Sequence, residues 1–309
     1  MLNKSLRILN FDDSILKQEN LLSRYEKDIL DFKDLSSQAR CWVNIKTRGI
    51  IEKRIYGSAK NSITFLGSGD FHHISEILIS QFPEPMCVIV FDFHPDWAIL
   101  PPRFGCGAWV SQILKKKNIS KIILVGVSSQ DISSFDIQTG NLDSLKSDRV
   151  EIYPYAHHPS LTFLKKIPQN ISLGIKNGVF FNKVYWQELK DKNLREFFSS
   201  LLKRLPIRNA YISIDKDCLR KDFALTNWEE GRLTLEELLL MLKLIKENLN
   251  IIGLDIVGDY SRICLEGAIK KIASHLDHPK AFSAKDQPES YITSVNEDTN
   301  LKILQLLNS

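Results

Sequence analysis

No two of the five cysteines, Cys41, Cys87, Cys106, Cys218 and Cys264, stand at Cys-x-x-Cys spacing, so neither a disulfide framework nor a zinc ribbon is expected. A reducing compartment fits that usage. No apolar run approaches the roughly 18 residues that span a bilayer. The opening residues, Met-Leu-Asn-Lys-Ser-Leu-Arg, hold no secretory apolar core, so a cytoplasmic location is the expectation. Charge of one sign is lacking as well: 41 Lys and Arg against 37 Asp and Glu leave a formal charge of +4, too small an excess for a nucleic-acid surface. The one basic triplet, Lys115-Lys116-Lys117, follows an apolar helical pattern and reads as a solvated helix end. Glycine (14) and proline (11) are nowhere gathered into a linker, and no internal repeat is visible, so residues 1–309 are read as a single domain.

What remains is a chain of 309 residues, 43% hydrophobic, long enough for a sizeable core. Short β-rich apolar runs at 7–11, 62–66, 87–91, 121–125, 150–153, 210–214 and 251–256 alternate with stretches of helical period at 74–81, 108–114, 185–202 and 235–249. That alternation predicts βα units in a mainly parallel sheet. Thr234 with Glu237 has the spacing of a capping box. Residues 129–148 read as a polar loop, 278–290 as an exposed connection before a C-terminal helix, and 12–60 as one or two helices.

Parallel sheets bind ligands beyond the carboxyl ends of their strands, where loops converge and helix N-termini point inward. Three strand ends carry acidic or histidine clusters: Gly67-Ser68-Gly69-Asp70-Phe71-His72-His73, Asp92-Phe93-His94-Pro95-Asp96-Trp97 and Asp215-Lys216-Asp217. Alternate residues of an extended strand share a side, which would bring Asp92, His94 and Asp96 to one point, and Asp215 and Asp217 likewise. With His72 or His73, and with Asp70 if it turns inward, four or five carboxylates and two imidazoles would face one cavity. Such a concentration of buried negative charge requires compensation, usually by divalent cations. Oxygen-rich donors with a minority of His and no Cys favour manganese over structural zinc, with zinc or iron as alternatives. Two ions sharing carboxylates would lie about 3.5 to 4 Å apart and could activate a water for hydrolysis. Asp12 and Asp13 also follow a strand but read as caps.

Asp-x-His-x-Asp after one strand, Ser-x-Asp-x-Asp after a later one, the upstream Gly/Asp/His turn and the late strand Ile252-Gly253-Leu254-Asp255-Ile256 together resemble the signature of the arginase/agmatinase/formiminoglutamase family, the ureohydrolases. The resemblance runs in order from about residue 60 to about residue 260. It implies an α/β, three-layer αβα fold with a mostly parallel eight-stranded sheet, two Mn2+ per chain, a small-molecule substrate and, as ureohydrolases often form trimers or hexamers, a homo-oligomer. Asp92 and Asp215 would bridge both ions, His72 (or His73) and Asp96 would complete one coordination sphere, and His94 and Asp217 the other. The related deacetylase branch keeps fewer of these ligands and holds one zinc.

Three departures bear on substrate. The glutamate that ureohydrolases carry three residues after the late-strand aspartate is replaced by Gly258, with Asp259 next to it as a substitute. Cys106 stands where arginases carry a proton-transferring histidine, and could act as acid/base or nucleophile, while His157 or His158 could supply the missing imidazole. Asp-Pro is absent after the second metal pair, and Trp228, Glu229 and Glu230 become candidate substrate contacts. The reading is a manganese-dependent hydrolase of a non-peptide C–N bond in a linear amidine, guanidine or related amide. Its alternatives are a metal-dependent deacylase and a metal-binding but inactive regulatory protein of the same fold.

Overall fold

Eleven strands are formed among the described residues, which are 5–57, 62–134, 136–163, 167–263, 284 and 287–308 of a computed structural model. They are β1 (Ser5–Asn10), β2 (Lys27–Asp31), β3 (Ser62–Gly67), β4 (Met86–Phe91), β5 (Ile119–Val125), β6 (Val150–Tyr153), β7 (Ser160–Phe163), β8 (Leu173–Lys176), β9 (Phe181–Trp186), β10 (Asn209–Asp215) and β11 (Asn250–Val257). Eight make one sheet in the order β2-β1-β3-β11-β10-β4-β5-β6, and every neighbouring pair is parallel.

Both faces of this sheet are covered, as a parallel sheet requires. Alternate residues of β4 join different cores: Met86, Val88 and Val90 pack on one side, Cys87, Ile89 and Phe91 on the other. Ile122 and Leu124 of β5 likewise oppose Ile123 and Val125. Helix Ile45–Ile55 supplies the first core, and helices Leu194–Arg204, Leu235–Asn248 and Glu289–Asn308 supply the second. The result is the arginase-like three-layer αβα arrangement. Helix Leu235–Asn248 opens with the expected capping box, Glu237 N–H donating to Thr234 Oγ1 at 3.2 Å and Thr234 N–H to Glu237 Oε2 at 2.8 Å.

Elsewhere the structure departs from the sequence pattern. The segment 185–202 is not one helix: β9 pairs antiparallel with β7 and β8 in a separate three-stranded sheet, and the helix begins at Leu194 behind an Asn193 cap. Of the segment 12–60, positions 58–60 lie outside the described residues, and 12–57 hold, besides short helices and helix Ile45–Ile55, the edge strand β2, whose sequence Lys-Asp-Ile-Leu-Asp is mostly exposed and so carries no core-facing alternation. Residues 129–148 contain two 3-10 turns and helix Leu142–Lys146. Of the expected connection 278–290, positions 278–283 and 285–286 lie outside the described residues, as does Cys264, and Glu289 already begins the last helix. No helix among the described residues is long and apolar enough to cross a membrane.

Candidate metal centre

Strands β3, β11, β10 and β4 are consecutive in the sheet, and their carboxyl ends deliver all the chemistry-bearing loops to one place. There Asp92, Asp96, Asp215 and Asp217 are buried together with His72, and His94 is nearly so. His72 Nδ1 lies 3.1 Å from Asp92 Oδ2, 3.3 Å from Asp96 Oδ2 and 3.5 Å from Asp215 Oδ2. His94 Nδ1 lies 3.2 Å from Asp217 Oδ2 and 3.8 Å from Asp92 Oδ1. Donor atoms thus gather into two groups that share Asp92: His72, Asp92 and Asp96, and Asp92, His94 and Asp217. All six residues expected from the sequence are brought together.

The route to that convergence is not strand alternation. β4 stops at Phe91, and Asp92 to Asp96 form an irregular turn in which Asp96 takes a left-handed backbone with φ 47°. The turn is fixed by its own acids: His94 N–H donates to Asp92 Oδ1 at 2.7 Å and Phe93 N–H to Asp217 Oδ1 at 3.0 Å. After β10 a 3-10 turn, Lys216–Cys218, is capped by Asp215, whose Oδ1 accepts from Asp217 N–H at 3.1 Å. Gly69 is needed on the opposite wall, since a Cβ there would come within 2.8 Å of Asp215 Oδ2 and 3.1 Å of Trp228.

Each imidazole presents Nδ1 to the acids and gives Nε2 to a second acceptor. His72 Nε2 lies 2.9 Å from Ser213 Oγ, and because that hydroxyl donates to Asp255 Oδ1 at 2.7 Å, it accepts from Nε2–H. His94 Nε2 lies 3.3 Å from Glu229 Oε2. The His72 ring is thereby held in the tautomer that leaves Nδ1 as a donor atom for a cation, the arrangement usual for metal-ligating histidines, and Glu229 faces the far nitrogen of His94. Trp109 Nε1–H donates to Asp96 Oδ2 at 2.7 Å and sets the last carboxylate.

Four buried carboxylates facing two imidazoles, with no Lys or Arg among them, carry excess negative charge. Without cations the site holds protons instead. Burial and the neighbouring Asp96 and Asp217 push the Asp92 carboxyl well above its usual range. Burial and Asp217 push Asp215 up to about 8. Burial pulls His72 and His94 down, but hydrogen bonds to Asp92 and Asp96, and to Asp217 and Glu229 respectively, outweigh it and raise both. Divalent cations replace such protons. Asp92 Oδ2, buried and without a well-aligned hydrogen bond, is available to one. Donor chemistry and grouping therefore fit two hard divalent ions.

The other candidates fall into three sets. Trp228, Glu229 and Cys106 line the cavity above the acids, which has a volume of about 1110 Å³. Trp228 meets His94 edge-on at 5.5 Å and donates Nε1–H to Asp70 Oδ1 at 3.0 Å. Glu229 acts on the His94 ring as well as facing the cavity. Cys106 begins the short turn Cys106–Ala108, its N–H bonded to the Cys41 carbonyl at 2.9 Å. Glu230 is exposed and accepts from Lys221 N–H at 3.3 Å, outside the cavity lining. His157 and His158 are also outside the lining, His157 lying against Ser133 Oγ at 3.1 Å and the His158 carbonyl at 2.6 Å. Asp259 is buried below the cavity and paired with Lys216 at 2.8 Å. His73, the alternative to His72, turns to a small separate pocket with Val43, Arg48 and Glu76. Asp70 turns from the nest to the buried Arg40 guanidinium, and Asp12 caps the loop by accepting from Ser14 and Ser68 N–H at 3.1 and 3.0 Å. Sequence reading missed Ser213, Trp109, Arg40 and Lys216. Lys216, standing between two of the acids, and Ser213, the first residue of the Ser-x-Asp-x-Asp motif, had a signal in their positions.

Comparison with models of known protein families gives no match. An uncharacterized protein of Thermotoga maritima is 29% identical over 197 residues, covering 64% of this chain and 58% of that protein, so the match spans less than two thirds of that relative's length. Among solved structures, formimidoylglutamase from Bacillus subtilis aligns with a TM-score of 0.58 at 13% identity, over 98% of this chain and 86% of that one. Proclavaminate amidino hydrolase from Streptomyces clavuligerus aligns at 0.58 and 11%, over 99% and 92%. Arginase from Bacillus subtilis aligns at 0.59 and 10%, over 99% and 98%. The fold is thus that of the arginase/ureohydrolase family, as the motifs implied.

Proposed function

We propose that this chain is a single-domain, binuclear manganese-dependent hydrolase of a non-peptide C–N bond in a small molecule. The observation that carries the reading is the pair of donor groups joined by Asp92 at the floor of a large cavity. His72 and Asp96 would hold one ion, His94 and Asp217 the other, and Asp92 and Asp215 would reach both. When bound, two such ions polarise a planar carbon's substituent and bring the pKa of a water between them towards neutrality. The chain's own residues do the rest. Ser213 and Glu229 hold the two imidazoles, Trp109 holds Asp96, and Trp228 forms a wall beside His94. Cys106, at the rim, is the proposed group for exchanging a proton with the leaving nitrogen.

The described lining includes Trp42, Phe93, Trp97 and Trp228 with Asp131 and Glu229, and no Lys or Arg. Aromatic faces with carboxylates favour a substrate whose tail is apolar or cationic over one ending in a carboxylate. One observation favours the deacylase alternative. The crevice at Gly258 is closed by Asp215 and Lys216, so the carboxylate that pairs with a guanidinium in ureohydrolases has no counterpart at that position.

Manganese-reconstituted protein should be assayed against guanidino, formimino and acylated amines, each with amine-tailed and carboxylate-tailed members. Turnover of an amine-tailed compound is expected, and urea, ammonia or a carboxylic acid as product distinguishes the two hydrolase readings. Asp215→Ala should lose metal and turnover together. Full occupancy without turnover of any compound would favour the inactive regulatory protein instead.

A further inference from the structure

Lys216 stands between two acids that face the metal site, yet its own side chain turns the opposite way and is fully buried. Its Nζ lies 2.8 Å from Asp259 Oδ1, and neither residue lines the cavity. Asp259 is itself held from several directions. Gln18 Nε2–H donates to its Oδ1 at 2.7 Å, Asn300 Nδ2–H reaches the same oxygen at 3.3 Å, and Asp259 N–H donates to the Gly67 carbonyl at 3.0 Å. Asn300 also donates to Gln18 Oε1 at 2.9 Å, so the acceptor is fixed by the segment after β1 and by the last helix together. One ion pair therefore ties the ends of β10, β11 and β3, the strands that launch Asp215, Asp217 and the His72 turn.

A buried ion pair is a poor device for stability alone, because desolvation consumes most of its Coulombic gain and apolar replacements often do as well. What it adds is direction. Gly258, with φ +88°, lets the β11 end approach so closely that a Cβ would stand 2.7 Å from Lys216 N and 2.5 Å from Asp215 Oδ1. The peptide carrying Asp215, Lys216 and Asp217 is thus held against the end of β11 twice, by the close approach of Gly258 and by the Lys216–Asp259 pair.

Building on the metal-site reading above, we propose that Lys216 and Asp259 are positioning residues that aim the Asp215 and Asp217 carboxylates at the metal pair. The pair is neutral as a whole, which separates aim from charge. If it acted through charge alone, Lys216→Met would tighten cation binding, Asp259→Asn would weaken it, and Lys216→Met/Asp259→Leu would return to wild type. Positioning weakens all three, by about 10- to 100-fold, the usual cost of disturbing groups that orient metal ligands.

The test is manganese binding isotherms on metal-stripped full-length wild type and the three variants, with thermal unfolding of each without metal. Weakened binding in all three, with the double variant still unfolding cooperatively, is the expected result. Wild-type affinity in the double variant, or tighter binding by Lys216→Met, overturns the proposal while leaving the metal site standing. Should the double variant not fold, Lys216→Met carries the test, since charge alone predicts tighter binding there and positioning predicts weaker; binding equal to or tighter than wild type then overturns it. A wild type that binds no manganese overturns the functional reading and this role with it.

Discussion

Gly258→Ala tests the geometry of the site's back wall with the smallest possible change. The backbone there has φ +88°, a left-handed conformation that costs an L side chain about 1 to 2 kcal/mol. The added methyl would stand 2.7 Å from the Lys216 backbone nitrogen, which cannot swing aside as a side-chain tip can, and 2.5 Å from Asp215 Oδ1. Overpacking of this kind costs about 1 to 3 kcal/mol more. The metal-free variant should therefore be about 2 to 5 kcal/mol less stable, a fall in Tm of roughly 3 to 8 °C for a chain of this size. Manganese affinity should fall as well, because the displaced atom belongs to the carboxylate proposed to reach both ions. Differential scanning calorimetry on stripped protein and a manganese isotherm would measure the two effects. An alanine variant with wild-type Tm and wild-type affinity would refute the reasoning. The same clash bears on substrate: Gly258→Glu, which restores the residue ureohydrolases carry, should disable the site rather than create a guanidinium contact.

Glu229→Ala should leave the fold intact, since its side chain is 40% exposed, but weaken manganese binding about 10- to 100-fold by freeing the His94 ring, as read by isotherm. Saturating manganese, at 100 times its Kd, should stabilise the native chain by about 2.7 kcal/mol per independent site, seen as a rise in Tm that a chelator reverses. At the far side of the sheet, Glu151 is buried and accepts from Lys121 Nζ at 2.7 Å, Tyr153 Oη at 2.6 Å and Arg204 at 3.2 Å. Burial alone would raise its pKa, but these donors outweigh burial and lower it. A depressed carboxyl contributes stability that is complete above the unfolded value of about 4.3 and lost as pH falls through the folded one. Glu151→Gln should thus cost about 2 kcal/mol near neutrality, with Lys121 and Arg204 partly exposed, and the gap to wild type should close below about pH 4 in acid unfolding.

Why the candidate metal site was legible and its supports were not follows from where each is written. Asp92, His94, Asp96, Asp215 and Asp217 lie in two short runs directly after apolar β-rich strands, so strand order alone brings them to one sheet edge. The strands themselves were visible because β3, β4, β5 and β10 are buried on both faces and read as continuous apolar runs. β2 and β9 are largely exposed, and their polar or mixed sequences carry no such mark. The local mechanism was misread at residues 92–96: convergence comes from a turn with a left-handed Asp96, which no alternation rule describes. Ser213 lies 141 residues from His72 along the chain, Glu229 is almost as far from His94, and Trp109 is 13 residues from Asp96, so only the fold brings these supports to the ligands. Asp259 shows the same limit in reverse: next to Gly258 at the end of the late strand it looked like a substrate carboxylate, yet its direction is set by Lys216, Gln18 and Asn300.

The most direct measurement is the metal content of the stripped and manganese-reconstituted protein beside Asp92→Ala, by elemental analysis on gel-filtered samples. Two ions per chain, falling below one in the variant, is the predicted outcome, since Asp92 belongs to both donor groups. A folded wild type that retains no dication would contradict the account.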